Sequence, residues 1–256
     1  MMPTSLLLAP LLGALIGLAL GMLGGGGSIL TVPMLVYLLG LQPHTAIAAS
    51  LVIVGANALT GAWLHHRAGH VRLKEALLFG AYGMLAAYGG ARLSTQVSGP
   101  VLLILFALLM LLIAALMLHG GIRARQALRP ATPWWRVLVG GLAVGFLTGF
   151  LGVGGGFLIV PALVLLLGMD MPDAVGSSLV VIALNSAAGL FGHLGDGELP
   201  WLLIGLFVLA GLIGLRVGER ATRTLSAQRL RQAFALFVVA LALVLLLINV
   251  PAALHA

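Results

Sequence analysis

The 256-residue chain has no cysteine and only six acidic residues, and charged side chains of either sign make up 7% of it. The missing cysteine excludes disulfides and thiolate metal sites. The missing charge excludes more. A water-soluble domain carries about 25% charged residues. With 61% hydrophobic residues, most of this chain has lipid as its solvent. No polar stretch exceeds a short loop, so there is no room for a separate soluble domain. The acids are informative by position as well: Glu75, Asp170, Asp173, Asp196, Glu198 and Glu219 all fall at segment ends or in loops. A cation carrier or carboxylate proton relay normally places one at membrane depth. No Ser-His or paired-Asp arrangement and no HExxH motif lies at depth, which disfavours an intramembrane protease. Met1-Met2-Pro3-Thr4 lacks the basic n-region of a signal peptide. The first apolar stretch is therefore expected to be retained, with the N-terminus outside.

What charge there is leans one way, thirteen Lys and Arg against six acids. That balance fits the cytoplasmic loops of a membrane protein better than a nucleic-acid surface. Only helices and closed barrels satisfy the backbone in lipid, and these apolar runs lack the alternation of barrel strands. Helical segments are expected near 5–23, 28–41, 43–66, 73–92 and 100–119, and again near 135–151, 157–169, 172–193, 200–219 and 232–250. Runs of about 20 residues, at 1.5 Å each, span a core of roughly 30 Å. The second segment of each set is too short to span comfortably.

Sliding the sequence on itself gives one dominant offset of 128 residues. At that offset Gly13, Gly17, Gly21 and Gly24 meet Gly141, Gly145, Gly149 and Gly152. Pro33 meets Pro161, Ser50 meets Ser178, Asn57 meets Asn185, Gly61 meets Gly189, His65 meets His193 and Arg92 meets Arg220. So many Gly, Pro, Asn and His in one ungapped register mark a duplication. Residues 1–122 form the first repeat, 123–136 a basic connector and 137–256 the second repeat. Loop charge sets their orientation. Arg67, Arg72 and Lys74 follow the third segment of the first half, where the second half has Asp196 and Glu198. The next loop reverses this: residues 94–100 are uncharged, and their counterpart carries Arg223, Arg229 and Arg231. With Arg123, Arg125, Arg129 and Arg136 in the connector, the positive-inside rule places equivalent loops on opposite sides. The expected fold is an all-α polytopic membrane protein of two inverted repeats with 8–10 hydrophobic segments. Each repeat holds a Gly-tipped broken or re-entrant hairpin plus about three full transmembrane helices.

The tips read Gly21-Met22-Leu23-Gly24-Gly25-Gly26-Gly27-Ser28 and Gly149-Phe150-Leu151-Gly152-Val153-Gly154-Gly155-Gly156. Consecutive glycines expose backbone N–H groups just before a short helix, whose N-terminus has unpaired donors and a partial positive charge. Such an end binds anions without a basic side chain. Gly24, Gly25, Gly26, Gly27 and Ser28 are therefore candidate substrate ligands, with Gly152, Gly154, Gly155 and Gly156 in the second half. The competing reading is close packing, which the small-xxx-small stripes Gly13-Gly17-Gly21 and Gly141-Gly145-Gly149 fit. A dinucleotide fingerprint does not suit apolar helices with no preceding strand. Ser50, Asn57 and Gly61 share one helix face, as do Ser178, Asn185 and Gly189, and Ser177 adds a hydroxyl. A buried amide needs partners. Asn57 and Asn185 act either as interhelical glue or as donors to tip or substrate. His65 and His193 are expected at solvated interfaces, a gating role being the sharper alternative. Trp63, Trp134, Trp135 and Trp201 fit an aromatic belt.

The doubled Gly-x-x-Gly-x-Gly-Gly-x5-Pro pattern is carried by Gly21, Gly24, Gly26, Gly27 and Pro33, then by Gly149, Gly152, Gly154, Gly155 and Pro161. It resembles the TauE/SafE sulfite exporter family over essentially the whole chain. The resemblance implies outward transport of sulfite or other small sulfur-containing anions across the bacterial inner membrane, without a cofactor or an enzymatic step. Anion transport by alternating access between the halves is the leading expectation. A cation or metal transporter using backbone carbonyls and His is the alternative. The expected partners are a small anion and the bilayer, not nucleic acid. Both termini are expected outside, and the oligomeric state stays open, a homodimer being one option.

Overall fold

The structure is a computed structural model that describes residues 3–94, 99–118, 134–151, 156–192 and 199–254. Every regular element among them is a helix. The first half gives α1 (Pro3–Leu23), α2 (Gly26–Pro33), α3 (Pro43–Arg67), α4 (Leu73–Ser94) and α5 (Gly99–Leu118). The second gives α6 (Trp134–Leu151), α7 (Gly156–Leu165), α8 (Met171–Gly192), α9 (Trp201–Thr224) and α10 (Ala227–Leu254). The ten segments expected from hydropathy are therefore present, in order. Four stretches among the described residues are long and apolar enough to cross a membrane: Thr45–Arg67, Met171–Leu190, Trp201–Thr222 and Gln228–Leu247. The chain is thus an all-α, polytopic membrane protein.

Local chemistry sets the short elements. Gly24 takes φ +65°, a left-handed turn that favours glycine. The chain then reverses, and α2 lies back along α1: a Cβ on Gly27 would sit 2.7 Å from the Ile16 carbonyl. Pro33, the last residue of α2, donates no backbone hydrogen bond. The helix continues as a π-helical turn over Met34–Leu38. Gly40 (φ +70°) and Gly168 (φ +66°) close the two short helices in the same left-handed way.

Each half packs on the other through four helix pairs, the first helix of one on the fourth of the other in both directions, and the third and fifth on their own counterparts. Helix α1 runs along α9, α4 along α6, α3 along α8, and α5 along α10. Glycines set the first two contacts at backbone distance. A methyl on Gly17 would land on the Gly211 carbonyl, and one on Gly145 would land on the Gly83 carbonyl. One turn earlier, a Cβ on Gly13 would lie 2.7 Å from the Phe207 carbonyl, and one on Gly141 2.8 Å from that of Phe79. Each contact is the other displaced by the sequence offset of 128. The glycines advance together along both chains, so α1 is parallel to α9 and α6 to α4. Helices α3 and α8 run the opposite way to each other, since Leu51 packs on Gly189 and Leu179 on Gly61. The core between them is apolar and tightly filled, with Ile16, Leu20, Ile53, Phe79, Phe106 and Phe207 all below 2% exposed. Lipid-facing residues remain exposed, among them the belt tryptophans Trp63, Trp134, Trp135 and Trp201.

One end of the bundle is held by polar contacts. The α3–α4 loop reaches the start of α8, where Asp173 accepts from Arg72 Nε at 3.4 Å and pairs with His70 Nδ1 at 3.2 Å. Ser177 Oγ accepts from the Arg72 backbone N–H at 3.0 Å. The α8 N-terminus and the first basic loop therefore lie at the same end, as the charge argument requires.

Candidate functional site

The short helices α2 and α7 touch near their N-termini. A Cβ on Gly156, the first residue of α7, would collide with Ser28 Oγ and lie 3.1 Å from the Gly25 carbonyl. Ser28 itself donates to that carbonyl at 2.7 Å. No side chain caps α2, and neither short helix has an acid in its first turn. The tips thus bring two positive helix ends into one neighbourhood without a competing carboxylate.

Beside this junction lies a cavity of about 630 Å³. Ser28 of α2, Ser50 of α3, Thr148 of α6, and Asn185 and Ser186 of α8 supply its polar groups. Phe79 and Met84 of α4, Phe106 of α5 and Leu241 of α10 are among its apolar walls. Among the described residues that line it, none is charged. The walls come from the half of the bundle remote from Arg72 and Asp173, since they use the C-terminal part of α8 and the N-terminal part of α3. Such a chamber suits a small or partly apolar solute bound by hydroxyl, amide and helix-end dipoles.

The expected site residues separate into groups. Ser28, Ser50 and Asn185 come together at the cavity, with Gly156 against Ser28. Gly24, Gly25, Gly26 and Gly27 build the first tip but are not part of the cavity wall. Ser178 packs on Gly24 and donates to its own helix at Val175 O, 2.7 Å. Ser177 is occupied by the Arg72 amide. Asn57 is fully buried away from the cavity; its Nδ2 donates to Ile53 O at 2.9 Å, and its amide lies flat on Gly211. Gly152, Gly154, Gly155 and His193 lie outside the described residues. The expectation of a solvated His65 is corrected: it is 1% exposed, and Nε2 contacts the Gly21 carbonyl at 3.2 Å. The same carbonyl accepts from Thr222 Oγ1 at 3.1 Å. A C-terminal helix carbonyl needs such donors once water is excluded, which draws the ring inward.

Thr148 and Ser186 were not anticipated. Their signal was a departure from the repeat, because their counterparts at the 128-residue offset are Leu20 and Ala58. Asn57 Oδ1 and Asn185 Oδ1 are buried with no protein hydrogen-bond partner. Among the described residues no cluster of three His, Asp or Glu could hold a metal ion.

A helical, multi-pass bundle with a polar-studded internal chamber is the architecture of a membrane transporter. The model of the family described as "Sulfite exporter TauE/SafE" matches residues 9–245. The chain belongs to that family. It is 38% identical over 238 residues to a "Probable membrane transporter protein" of Xylella fastidiosa (strain 9a5c), covering 90% of this chain and 91% of the relative. A probable membrane transporter of Haemophilus influenzae is 28% identical, covering 94% and 97%. One of Bacillus subtilis (strain 168) is 25% identical, covering 86% and 91%. No solved structure matches the chain.

Proposed function

We propose that the protein carries small anions, sulfite or organosulfonates, outward across a bacterial inner membrane by alternating access between two inverted repeats. The single observation that carries this reading is the junction of two short-helix N-termini, that of α2 without a side-chain cap, beside a chamber whose described walls carry no charge. Among the described residues, serine, threonine and asparagine supply the polar side chains on its walls. Oxyanions are held there by N–H and O–H dipoles, and an uncharged site releases its cargo more readily than a buried Arg pair. The family model's description supports sulfite as the first anion to test. Inversion of residues 1–122 relative to 137–256 is supported by the antiparallel course of α3 and α8 and by contacts that recur at the 128-residue offset. With the connector and basic loops inside, both termini lie outside. On this reading the chain is a carrier, not an enzyme.

The test is sulfite and organosulfonate flux in proteoliposomes, comparing wild type with Asn185→Ala and Gly156→Val. Flux that collapses in both correctly folded variants supports the site. Undiminished flux in both moves the pathway elsewhere. One observation favours a second reading: two buried amide oxygens without partners are acceptors, which suit a cation or a proton-bearing ligand. Stabilisation by sodium or a divalent metal, lost in Asn185→Ala, would favour it.

A further inference from the structure

The two halves share their contacts but differ in closure. In both, a glycine-locked helix pair flanks the central α3–α8 couple, α1 with α9 on one side and α4 with α6 on the other. On the first side the pair is pressed against α3. A Cβ on Gly211 would meet Asn57 Nδ2 at 2.6 Å, Oδ1 at 2.7 Å and Cγ at 2.9 Å. On the second side, the equivalent Cβ on Gly83 would meet only the Gly141 carbonyl at 3.5 Å and Gly145 Cα at 3.9 Å. The amide of Asn185 is out of reach there, and the cavity fills the gap. One glycine-locked pair is closed on its asparagine and the other stands off.

The sequence supplies the reason. The open side carries Thr148 and Ser186, whose hydroxyls favour a hydrated wall; the closed side has Leu20 and Ala58 in their places, both fully buried. An apolar wall closes dry, and a hydroxylated one resists closing. What remains inside the closed wall is Asn57, fully buried, with an amide oxygen that has no partner. A buried acceptor left unpaired lowers the stability of that packing. A hydrogen bond crosses from α3 to the closed pair, His65 Nε2 on the Gly21 carbonyl. Thr222 of α9 holds the same carbonyl within the pair.

We propose that Asn57 marks a second, sealed binding site for the same class of small anion. It opens when the α1/α9 pair leaves α3, as α4/α6 closes on Asn185. The proposal rests on the alternating-access reading above and adds the location of the hidden site and its latch. In the opened state Asn57 and Ser178 stand where Asn185 and Ser50 stand now, and Gly156 stands for Ser28. His65 is a positioning residue: it holds the pair shut and does not touch the anion.

The chain has no native cysteine, so single cysteines report accessibility without background. Ser186→Cys reports the open side and Ala58→Cys its sealed counterpart, both probed with a small methanethiosulfonate in proteoliposomes. Ile53→Cys, counterpart of the cavity-lining Val181, replaces Ala58→Cys if that variant does not fold. The expected result is labelling at Ser186→Cys and protection at Ala58→Cys. His65→Leu, by removing one hydrogen bond, raises the rate at Ala58→Cys by about fivefold and lowers that at Ser186→Cys; the shift corresponds to about 1 kcal/mol. His65→Gln, which keeps a donor near the Nε2 position, stays near the parent rates. Both rates rising together, or Ala58→Cys unmoved by His65→Leu, overturns the proposal. Sulfite and sulfonate flux measured on the same vesicles separates the two claims. Flux with Ala58→Cys still unlabelled in the His65→Leu background refutes the sealed site and leaves anion transport standing. Reciprocal labelling without anion flux refutes the substrate reading and leaves the site.

Discussion

Adding one methyl at Gly17 tests the close approach on which the architecture depends. The nearest atoms to that methyl are the carbonyl oxygen, carbon and Cα of Gly211, all well inside van der Waals contact. These are backbone atoms, so no side chain can rotate away; α1 and α9 must separate along their length. Overpacking a well-filled core costs about 1–3 kcal/mol, and a backbone obstacle belongs at the upper end. For a chain of this size each kcal/mol is worth about 2–4 °C in melting temperature. Gly17→Ala is therefore expected to lower Tm by about 5–10 °C in detergent, measured by circular dichroism or by loss of the monodisperse gel-filtration peak. Gly145→Ala, which meets the Gly83 carbonyl in the same way, is expected to cost as much. The control is Gly205→Ala, whose added Cβ meets nothing within 4 Å; helix propensity alone makes it neutral or slightly stabilising. If Gly17→Ala melts with the wild type, the glycine lock is wrong. If Gly17→Ala and Gly145→Ala differ widely, the equivalence of the two pairs falls with it.

Filling the cavity with Ser186→Phe is expected to abolish flux while leaving Tm within a few degrees, because the ring enters existing space; retained flux would place the pathway outside this chamber. Asp173→Asn weakens the links to Arg72 and His70 at one bundle end. With Asp173 14% and Arg72 24% exposed, the loss is expected to be about 1 kcal/mol, read as a fall in Tm that shrinks in high salt. Gly24→Ala is expected to be destabilising by about 1 kcal/mol or more, since φ +65° disfavours any Cβ and Ser178 Oγ occupies the space. An unchanged melting curve would mean that the tip does not hold that turn.

The class of fold was legible from the chain because lipid leaves few options. With 7% charge the segments had to be buried, and only helices close their own hydrogen bonds there. The glycine run at Gly24 announced the hairpin tip, because glycine has a backbone freedom no other residue supplies, whereas Pro33 at the end of α2 and Gly40 at the stop beyond it were not read from the chain. Ser28, Ser50 and Asn185, singled out by residue type and repeat register, do line the cavity. Which of the paired residues would face a cavity was not legible. Asn57 and Asn185 occupy equivalent positions in the repeat, yet one is sealed against Gly211 and the other lines open space. His65 looked like an interfacial residue until the Gly21 carbonyl gave it a buried partner. The repeat fixed the set of contacts available to each half, because identical spacings present identical surfaces. Only the tertiary structure decided which set is made, since closing both halves on α3 and α8 at once would leave no room for what the protein carries.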